Sequence, residues 1–244
     1  MADYQENQVN YGSATRSSVQ YDEGLRSYML GIYNYMALAL AVTAIAAMGT
    51  AYMASTSEAF RAVVYTAPIS YVIMFAPLAF VLVMSFGLNK MSTGTLQMVF
   101  WAFSAVMGMS ISSIFFVFTA SSIVQTFFIT AAAFGSLSIY GYTTKRDLSG
   151  FGRFLFMGLI GLILASIVSF FFPSGPLQFA INVIGVLIFA GLTAYDTQRL
   201  KVEYDFYAGN AAAMARGSIM GALSLYLNFI NMFMFLLQFL GNRE

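Results

Sequence analysis

The chain has 244 residues, of which 59% are hydrophobic and only 9% are charged, and its mean hydropathy is +0.76. Soluble domains carry about 25% charged residues, so this composition predicts an integral membrane protein whose first partner is the lipid bilayer. The chain contains no cysteine and no histidine, which excludes disulfides, imidazole metal sites and serine–histidine catalysis, and the net charge of +1 without a basic run gives no indication of nucleic-acid binding.

Charged residues divide the chain into apolar segments. Three uncharged gaps contain 31, 28 and 26 residues, and each fits one membrane crossing of about 20 residues. Two longer gaps, of 54 and 42 residues, are each divided by a turn and so hold two spans each. The prediction is an all-α polytopic protein whose seven transmembrane helices cover residues 28–53, 63–86, 95–118, 124–142, 152–172, 177–200 and 216–240.

Residues 1–27 are polar and are predicted to form a disordered cytoplasmic tail, which leaves residues 28–244 for the seven-helix transmembrane domain. Nine of the 11 Lys and Arg residues lie in this tail or in the even-numbered loops. By the positive-inside rule, the amino terminus is cytoplasmic and the carboxyl terminus is outside. An alternative topology folds the last segment as a re-entrant hairpin and returns the carboxyl terminus to the cytoplasm.

The last apolar segment carries its strongly polar side chains on one line. Alternating steps of four and three residues place this line on one face of a helix, and the line consists of Gly217, Gly221, Ser224, Asn228, Asn231, Phe235 and Gln238. A polar stripe in hydrocarbon must face protein or water, so this helix is predicted to be central in the bundle. Gly217, Gly221 and Ser224 form its small, closely packed end, and Asn228 and Asn231 present two amides to the interior.

Asp196, in the sixth predicted span, is the single acid expected at membrane depth. It ends a partly polar face with the same three-and-four spacing, formed by Asn182, Gly185, Phe189 and Thr193. Because intramembrane acids are functional by default, Asp196 is predicted to line an ion pathway and sense pH together with Asn228 and Asn231, and to serve as a weak metal ligand. The alternative is a solvated acid at the cytoplasmic mouth, paired with Arg199 one turn on.

The second predicted span contains Pro68 and Pro77. Each proline removes a backbone hydrogen bond and clashes with a carbonyl one turn back, so this helix is predicted to be kinked. The kink is either static, as is common in membrane helices, or a moving gate.

Three motifs together resemble the Bax inhibitor-1 family in its bacterial form. They are YGYTTKRDLS at residues 140–149, GLTAYDTQ at residues 191–198 and GALSLYLNFINMF at residues 221–233. The resemblance covers essentially the whole chain after the tail. It implies seven helices with the last one central, a location in the bacterial inner membrane and, by analogy with some members, a pH-sensitive calcium leak that needs no cofactor, with calcium as the transported ion.

The same resemblance implies a departure at the site. In calcium-conducting members an acid matching Asp196 pairs with an acid in the last span, and the position matching that second acid is Asn228. An Asp–Asn pair has one titrating member and half the charge, so the expectation is a cation leak with a single intramembrane acid and a weak dependence on pH. The alternative function is a non-conducting regulatory partner, because bacterial relatives bind and modulate the membrane-anchored ATP-dependent protease that clears damaged membrane proteins.

Catalysis is not expected. Tyr195 and Asp196 together resemble half of an intramembrane aspartyl protease site, but the second membrane aspartate is missing from the sequence. A retinal protein needs a lysine in the last span for the Schiff base, and this segment has none.

Overall fold

The computed structural model of the chain describes residues 11–88, 90–207 and 209–243. Within these ranges the chain forms eight α-helices and one short 3-10 helix, Ser112–Phe116, and seven helices are long and apolar enough to cross a membrane. The helices are α1 Tyr11–Thr56, α2 Glu58–Tyr65, α3 Ile69–Gly87, α4 Thr93–Ile111, α5 Ala120–Thr143, α6 Ser149–Phe171, α7 Gly175–Tyr207 and α8 Ala211–Leu240. The all-α polytopic fold with seven spans is therefore confirmed.

Helix α1 begins well before the predicted boundary at residue 28, so the predicted tail is helical from Tyr11 onward. Residues 1–10 of that tail lie outside the described residues. Leu25 and Tyr28 are buried, and the Tyr28 ring lies 5.6 Å from the ring of Tyr204 on α7. This contact extends the helix bundle beyond the apolar part of α1. The polar composition of the segment gave no indication of this packing.

The second predicted span is two helices, because the chain turns between α2 and α3. Ser57 caps α2 by accepting a hydrogen bond from Phe60 N at 3.3 Å. Pro68 follows a cis peptide bond and stands immediately before α3, whereas Pro77 is buried inside α3. The predicted position of Pro68 within a continuous span is thus wrong. Proline has no backbone N–H to donate and disfavours helical geometry in the residue before it, so the helix ends here.

Helix α8 is the centre of the bundle and packs against α7, α1, α5 and α4. More than half of the residues in the most apolar stretch of α8 are buried, a larger share than in any other spanning helix of the described chain. Tyr226 in its middle is fully buried, and the Tyr226 hydroxyl lies 2.7 Å from Thr43 Oγ1 on α1. The helix is continuous from Ala211 to Leu240. These observations confirm the central last helix, and they contradict the re-entrant hairpin.

Helices α5 and α7 approach each other closely at Gly141. A Cβ atom added there would overlap the backbone carbonyl of Ala194, whereas a Cβ at Gly135, on the same helix, would meet nothing within 4 Å. Because a backbone carbonyl cannot swing aside as a side chain can, the lack of a side chain at Gly141 sets the distance between the two helices. This close contact lies two residues before Asp196 on α7.

The loop between α5 and α6 is tied to α7 by Gln198. Its Oε1 accepts a hydrogen bond from Leu148 N at 2.8 Å, and its Nε2 donates to Arg146 O at 2.8 Å. Asp147 in the same loop accepts from Ser149 N at 2.8 Å, and hydrogen bonding by Ser149 holds the pKa of the Asp147 carboxyl below its usual range. The start of α6 is therefore fixed against α7.

Candidate functional site

Asp196 is buried between α7 and α8, with only 6% of its surface exposed. Its Oδ2 accepts hydrogen bonds from Asn228 Nδ2 at 2.7 Å and from Ser224 Oγ at 2.8 Å. Its Oδ1 lies 3.1 Å from Arg199 Nη2. Both carboxylate oxygens are thus held by protein donors, as a charge in a low-dielectric interior requires. We call Asp196, Arg199, Ser224 and Asn228 the acidic layer.

Arg199 is shared between two carboxylates. In addition to Asp196, its Nε lies 3.3 Å from Glu203 Oε1, and its guanidinium carbon lies 5.9 Å from the centre of the Tyr195 ring. The alternative interpretation of Asp196 as a solvated acid paired with Arg199 is half correct, because the pairing exists but the carboxyl is buried. Two carboxylates and one guanidinium leave this group of three residues with a net charge of −1.

The small residues of α8 have different roles. A Cβ at Gly217 would lie 2.5 Å from the Tyr207 ring, and a Cβ at Gly221 would lie 2.7 Å from Leu200 Cδ2, so both glycines permit close packing of α7 on α8. Ser224, predicted only as a packing residue, also donates its hydroxyl to Asp196. Its place on the polar stripe was the signal for this second role.

A second polar cluster lies near the opposite ends of the facing helices. Gln178 Nε2 donates to Asn182 Oδ1 at 3.0 Å and to Gln238 Oε1 at 3.2 Å, and Ser169 Oγ on α6 donates to Gln178 Oε1 at 3.4 Å. We call Gln178, Asn182 and Gln238 the amide layer. Sequence reasoning missed Gln178, although it stands four residues before Asn182 and so shares its helix face.

A pair of aromatic rings separates the acidic layer from the amide layer. Phe189 on α7 and Phe235 on α8 stack with their ring centres 6.0 Å apart and their planes 23° apart. Gly185 makes room for this pair, because a Cβ added there would lie 2.7 Å from the Phe235 ring. The polar faces of α7 and α8 therefore meet along their length in the order acidic layer, aromatic pair and amide layer.

A cavity of about 1600 Å³ lies beside these faces, between α3, α6, α7 and α8. Asp196, Asn228 and Asn231 line it, and so do Phe189 and Phe235. Asn231 uses its Nδ2 to donate to the Leu227 carbonyl of its own helix at 2.8 Å. The amide layer is not part of the lining, so the aromatic pair stands between the cavity and that layer.

The predicted metal role of Asp196 stays a prediction. In the described part of the chain, no group of three or more Asp, Glu, His or Cys side chains is arranged to hold a metal ion. Calcium takes 6–8 oxygen ligands, and the acidic layer offers one carboxylate whose oxygens already accept hydrogen bonds.

Seven spanning helices that enclose a buried acid between the last two define a polytopic membrane protein with an internal polar face. Residues 25–244 match the protein family described as "Inhibitor of apoptosis-promoting Bax1". The chain belongs to this Bax inhibitor-1 family, as its motifs predicted.

Similar proteins occur in several bacteria. The "Inner membrane protein YbhL" of Escherichia coli K12 is 46% identical over 230 residues, which cover 93% of this chain and 97% of that protein. An "Uncharacterized protein" of Caulobacter vibrioides is 48% identical over 241 residues, or 95% of each chain. The "Uncharacterized protein RP147" of Rickettsia prowazekii is 45% identical over 232 residues, which cover 95% of this chain and 96% of that protein.

Proposed function

We propose that this protein is a cation leak pathway, with calcium as the transported ion and Asp196 as the single acid of the pathway. The observation that carries the proposal is a carboxylate buried at the meeting of α7 and α8 and reached by a large cavity. A charge at membrane depth is costly and marks ion or proton pathways in many membrane proteins. The proposal assigns no catalytic step to any residue.

Charge favours a cation over an anion in the acidic layer. Asp196 and Glu203 share the single guanidinium of Arg199, and the excess negative charge lies where the local dielectric is low. Such a site concentrates cations and repels anions. A cation would pass between the acidic layer and the amide layer along the facing polar faces of α7 and α8.

The aromatic pair supplies the barrier in the proposed pathway. Hydrophobic constrictions close ion pathways by excluding water, and Phe189 and Phe235 occupy the position between the two polar layers. The arrangement described here corresponds to a closed state, since Asp196 is also fully engaged by its protein donors.

Helix α3 is the proposed moving element. Tyr71, Met74 and Phe75 of α3 form one wall of the cavity. Pro68 stands at the start of α3, and Pro77, two residues after Phe75, interrupts its hydrogen bonding. A helix weakened in this way can bend without breaking further hydrogen bonds, so movement of α3 would change the width of the cavity.

The proposed location is the bacterial inner membrane, which the name of the Escherichia coli relative also states for that protein. The excess of Lys and Arg in the amino-terminal segment and the even-numbered loops supports a cytoplasmic amino terminus. With seven spans, the proposed location of the carboxyl terminus is then outside.

Calcium flux into liposomes containing the purified protein tests this function. We expect the wild-type protein to pass calcium and Asp196→Asn to reduce the flux to the level of protein-free liposomes. Asp147→Asn makes the same chemical change in an exposed loop and should leave the flux unchanged. Because Asp196→Asn leaves Arg199 with one partner fewer, its melting temperature and monodispersity must first match those of the wild type. Equal flux through wild type and Asp196→Asn would show that the acid is not in the pathway.

The second candidate is a non-conducting regulatory partner of a membrane-anchored ATP-dependent protease. The observation in its favour is the saturation of Asp196, whose two oxygens are occupied by Arg199, Ser224 and Asn228 as in a purely structural site. Cross-linking in native membranes followed by purification should recover the protease. If it does, and the wild-type protein passes no calcium, this candidate replaces the leak.

A further inference from the structure

The cavity is open rather than enclosed. Its outer walls are α3, which packs on α4, and α6, which packs on α7. These walls are exposed and apolar, as Phe75 at 59% and Phe156 at 60% exposure illustrate. The opening therefore lies on the side of the bundle, between two spanning helices, where the surrounding medium is hydrocarbon.

The charged residues of the lining lie toward one end of the cavity and are Arg153, Asp196 and Arg199. A Cβ at Gly152, next to Arg153, would lie 2.5 Å from the Tyr195 ring, and the Arg199 guanidinium lies 5.9 Å from the same ring. The start of α6 and the Arg199 guanidinium therefore both lie close to Tyr195. Asp196 and Glu203 both pair with Arg199, so the positive charge of the lining that has no carboxylate partner is that of Arg153.

Arg153 is the available positive charge at this end. It is exposed and forms no salt bridge with any residue in the described ranges, although its charge acts on the nearby Asp147. It stands one turn into α6, and an arginine near the end of a spanning helix can extend its charged head toward the lipid phosphates. Arg199, by contrast, is held by Asp196 and Glu203.

We propose that this cavity is a binding site for an anionic phospholipid. The phosphate binds Arg153, whose charge is not paired in a salt bridge, and the acyl chains lie along the apolar walls of α3 and α6. A volume of about 1600 Å³ exceeds the usual 300–1,000 Å³ of a small-ligand pocket, and walls of this kind favour hydrocarbon over water. The site does not depend on the proposed cation leak.

Fluorescence quenching by brominated phospholipids tests the proposal. The single tryptophan, Trp101, is replaced by Phe, and a reporter is placed in the cavity wall with Leu159→Trp. We expect brominated phosphatidylglycerol to quench this reporter at a mole fraction about fivefold lower than brominated phosphatidylcholine, the preference that one arginine near anionic lipid provides. A reporter at Phe128→Trp, on an exposed face of α5 outside the cavity, should be quenched equally by both lipids.

Arg153→Gln tests whether Arg153 causes the preference for phosphatidylglycerol. We expect this variant to lose the preference for phosphatidylglycerol at Leu159→Trp, whereas Arg146→Gln in the α5–α6 loop, outside the cavity, should retain it. Equal quenching by both lipids in the parent, or an unchanged preference in Arg153→Gln, would overturn the proposal. Absence of quenching by either lipid would also overturn it and would indicate that a protein segment fills the cavity.

Discussion

Asn228 donates its amide to Asp196 Oδ2 across 2.7 Å, which joins α8 to α7 inside the helix bundle. The amide stands where the resemblance to calcium-conducting family members places a second acid. An amide donor stabilises the ionised carboxylate but has no proton to share with it. The acidic layer is thus a site with one titrating group where a carboxylate pair would have two.

Asn228→Asp should give the proposed leak a new dependence on pH. Two carboxylates at this distance repel each other, so one of them takes up a proton in a transition expected between about pH 6 and 8. Below the transition the pair shares a proton and the pathway stays closed. Above it two negative charges repel, attract calcium and raise the flux. Calcium flux into liposomes across this pH range measures the effect.

Asn231→Asp is the matched control, because it makes the same change one turn further along α8, where the amide bonds only to the carbonyl of Leu227. It should not reproduce the transition. A pH profile of Asn228→Asp identical to that of the wild type would show that positions 196 and 228 do not form a coupled pair.

Phe235→Ala should increase calcium flux several-fold by opening the barrier between the acidic and amide layers. The substitution removes the ring that stacks on Phe189, so water can enter the constriction. Phe239→Ala removes a ring of the same size one turn further along α8, where it contacts Phe179, and should leave the flux unchanged. If both variants conduct like the wild type while Asp196→Asn still reduces flux, the pathway stands but its barrier lies elsewhere.

Pro77→Ala should lower the leak rate more than it changes the melting temperature. The alanine restores a backbone N–H and stiffens α3, whose neighbouring turn forms a wall of the cavity. Flux in liposomes and thermal unfolding in detergent are measured on the same preparations. A raised melting temperature with an unaltered leak would identify α3 as a static strut.

Gly141→Ala should destabilise the protein, and Gly135→Ala should not. The added methyl group at Gly141 overlaps the Ala194 carbonyl, whereas the same group at Gly135 enters open space. We expect a loss of about 1–3 kcal/mol at Gly141, and at Gly135 a change within about 1 kcal/mol on the stabilising side, because alanine favours helix. Thermal unfolding of both variants in one detergent tests this, and equal melting temperatures would mean that α5 shifts freely on α7.

Reporter fusions at the two ends of the chain should fall on opposite sides of the membrane. Seven spans require this, and the distribution of Lys and Arg predicts that the amino terminus is in the cytoplasm. A periplasm-active enzyme fused after Glu244 should be active, and the same enzyme fused before Met1 should be inactive. Activity at both ends or at neither would contradict the seven-span topology.

Much of the fold was predictable because polar side chains within the hydrocarbon of a bilayer must face protein or water. The line from Gly217 to Gln238 had to face protein, and α8 is indeed the central helix. The amino-terminal extension of α1 was not predictable, because its burial depends on Tyr204, which lies far away in sequence. The break before Pro68 was not predicted, because a proline inside an apolar run can kink a helix or end it, and the sequence around it fits both outcomes.

The sequence predicted several residues of the candidate site, but it predicted few of their hydrogen-bond and ion-pair partners. The spacing of Asp196 and Asn228 placed each on a polar face, and the structure joins them. The sharing of Arg199 with Glu203 and the bond from Gln178 to Gln238 were not predicted. These partners are charged or amide groups near helix ends, where exposure to solvent is as consistent with the sequence as burial.

The two hydrogen bonds of Gln198 to the α5–α6 loop couple the loop to movements of the acidic layer. Gln198 stands two residues from Asp196 on α7 and holds Leu148 N and Arg146 O in the loop. A rotation of α7 large enough to release Asp196 from α8 would break these bonds, which adds about 1–3 kcal/mol to the cost of opening. The Leu148 amide would then exchange its hydrogen with solvent each time the site opens. Its hydrogen-exchange rate would therefore report how often the site opens, although Leu148 lies in a loop and not in a spanning helix.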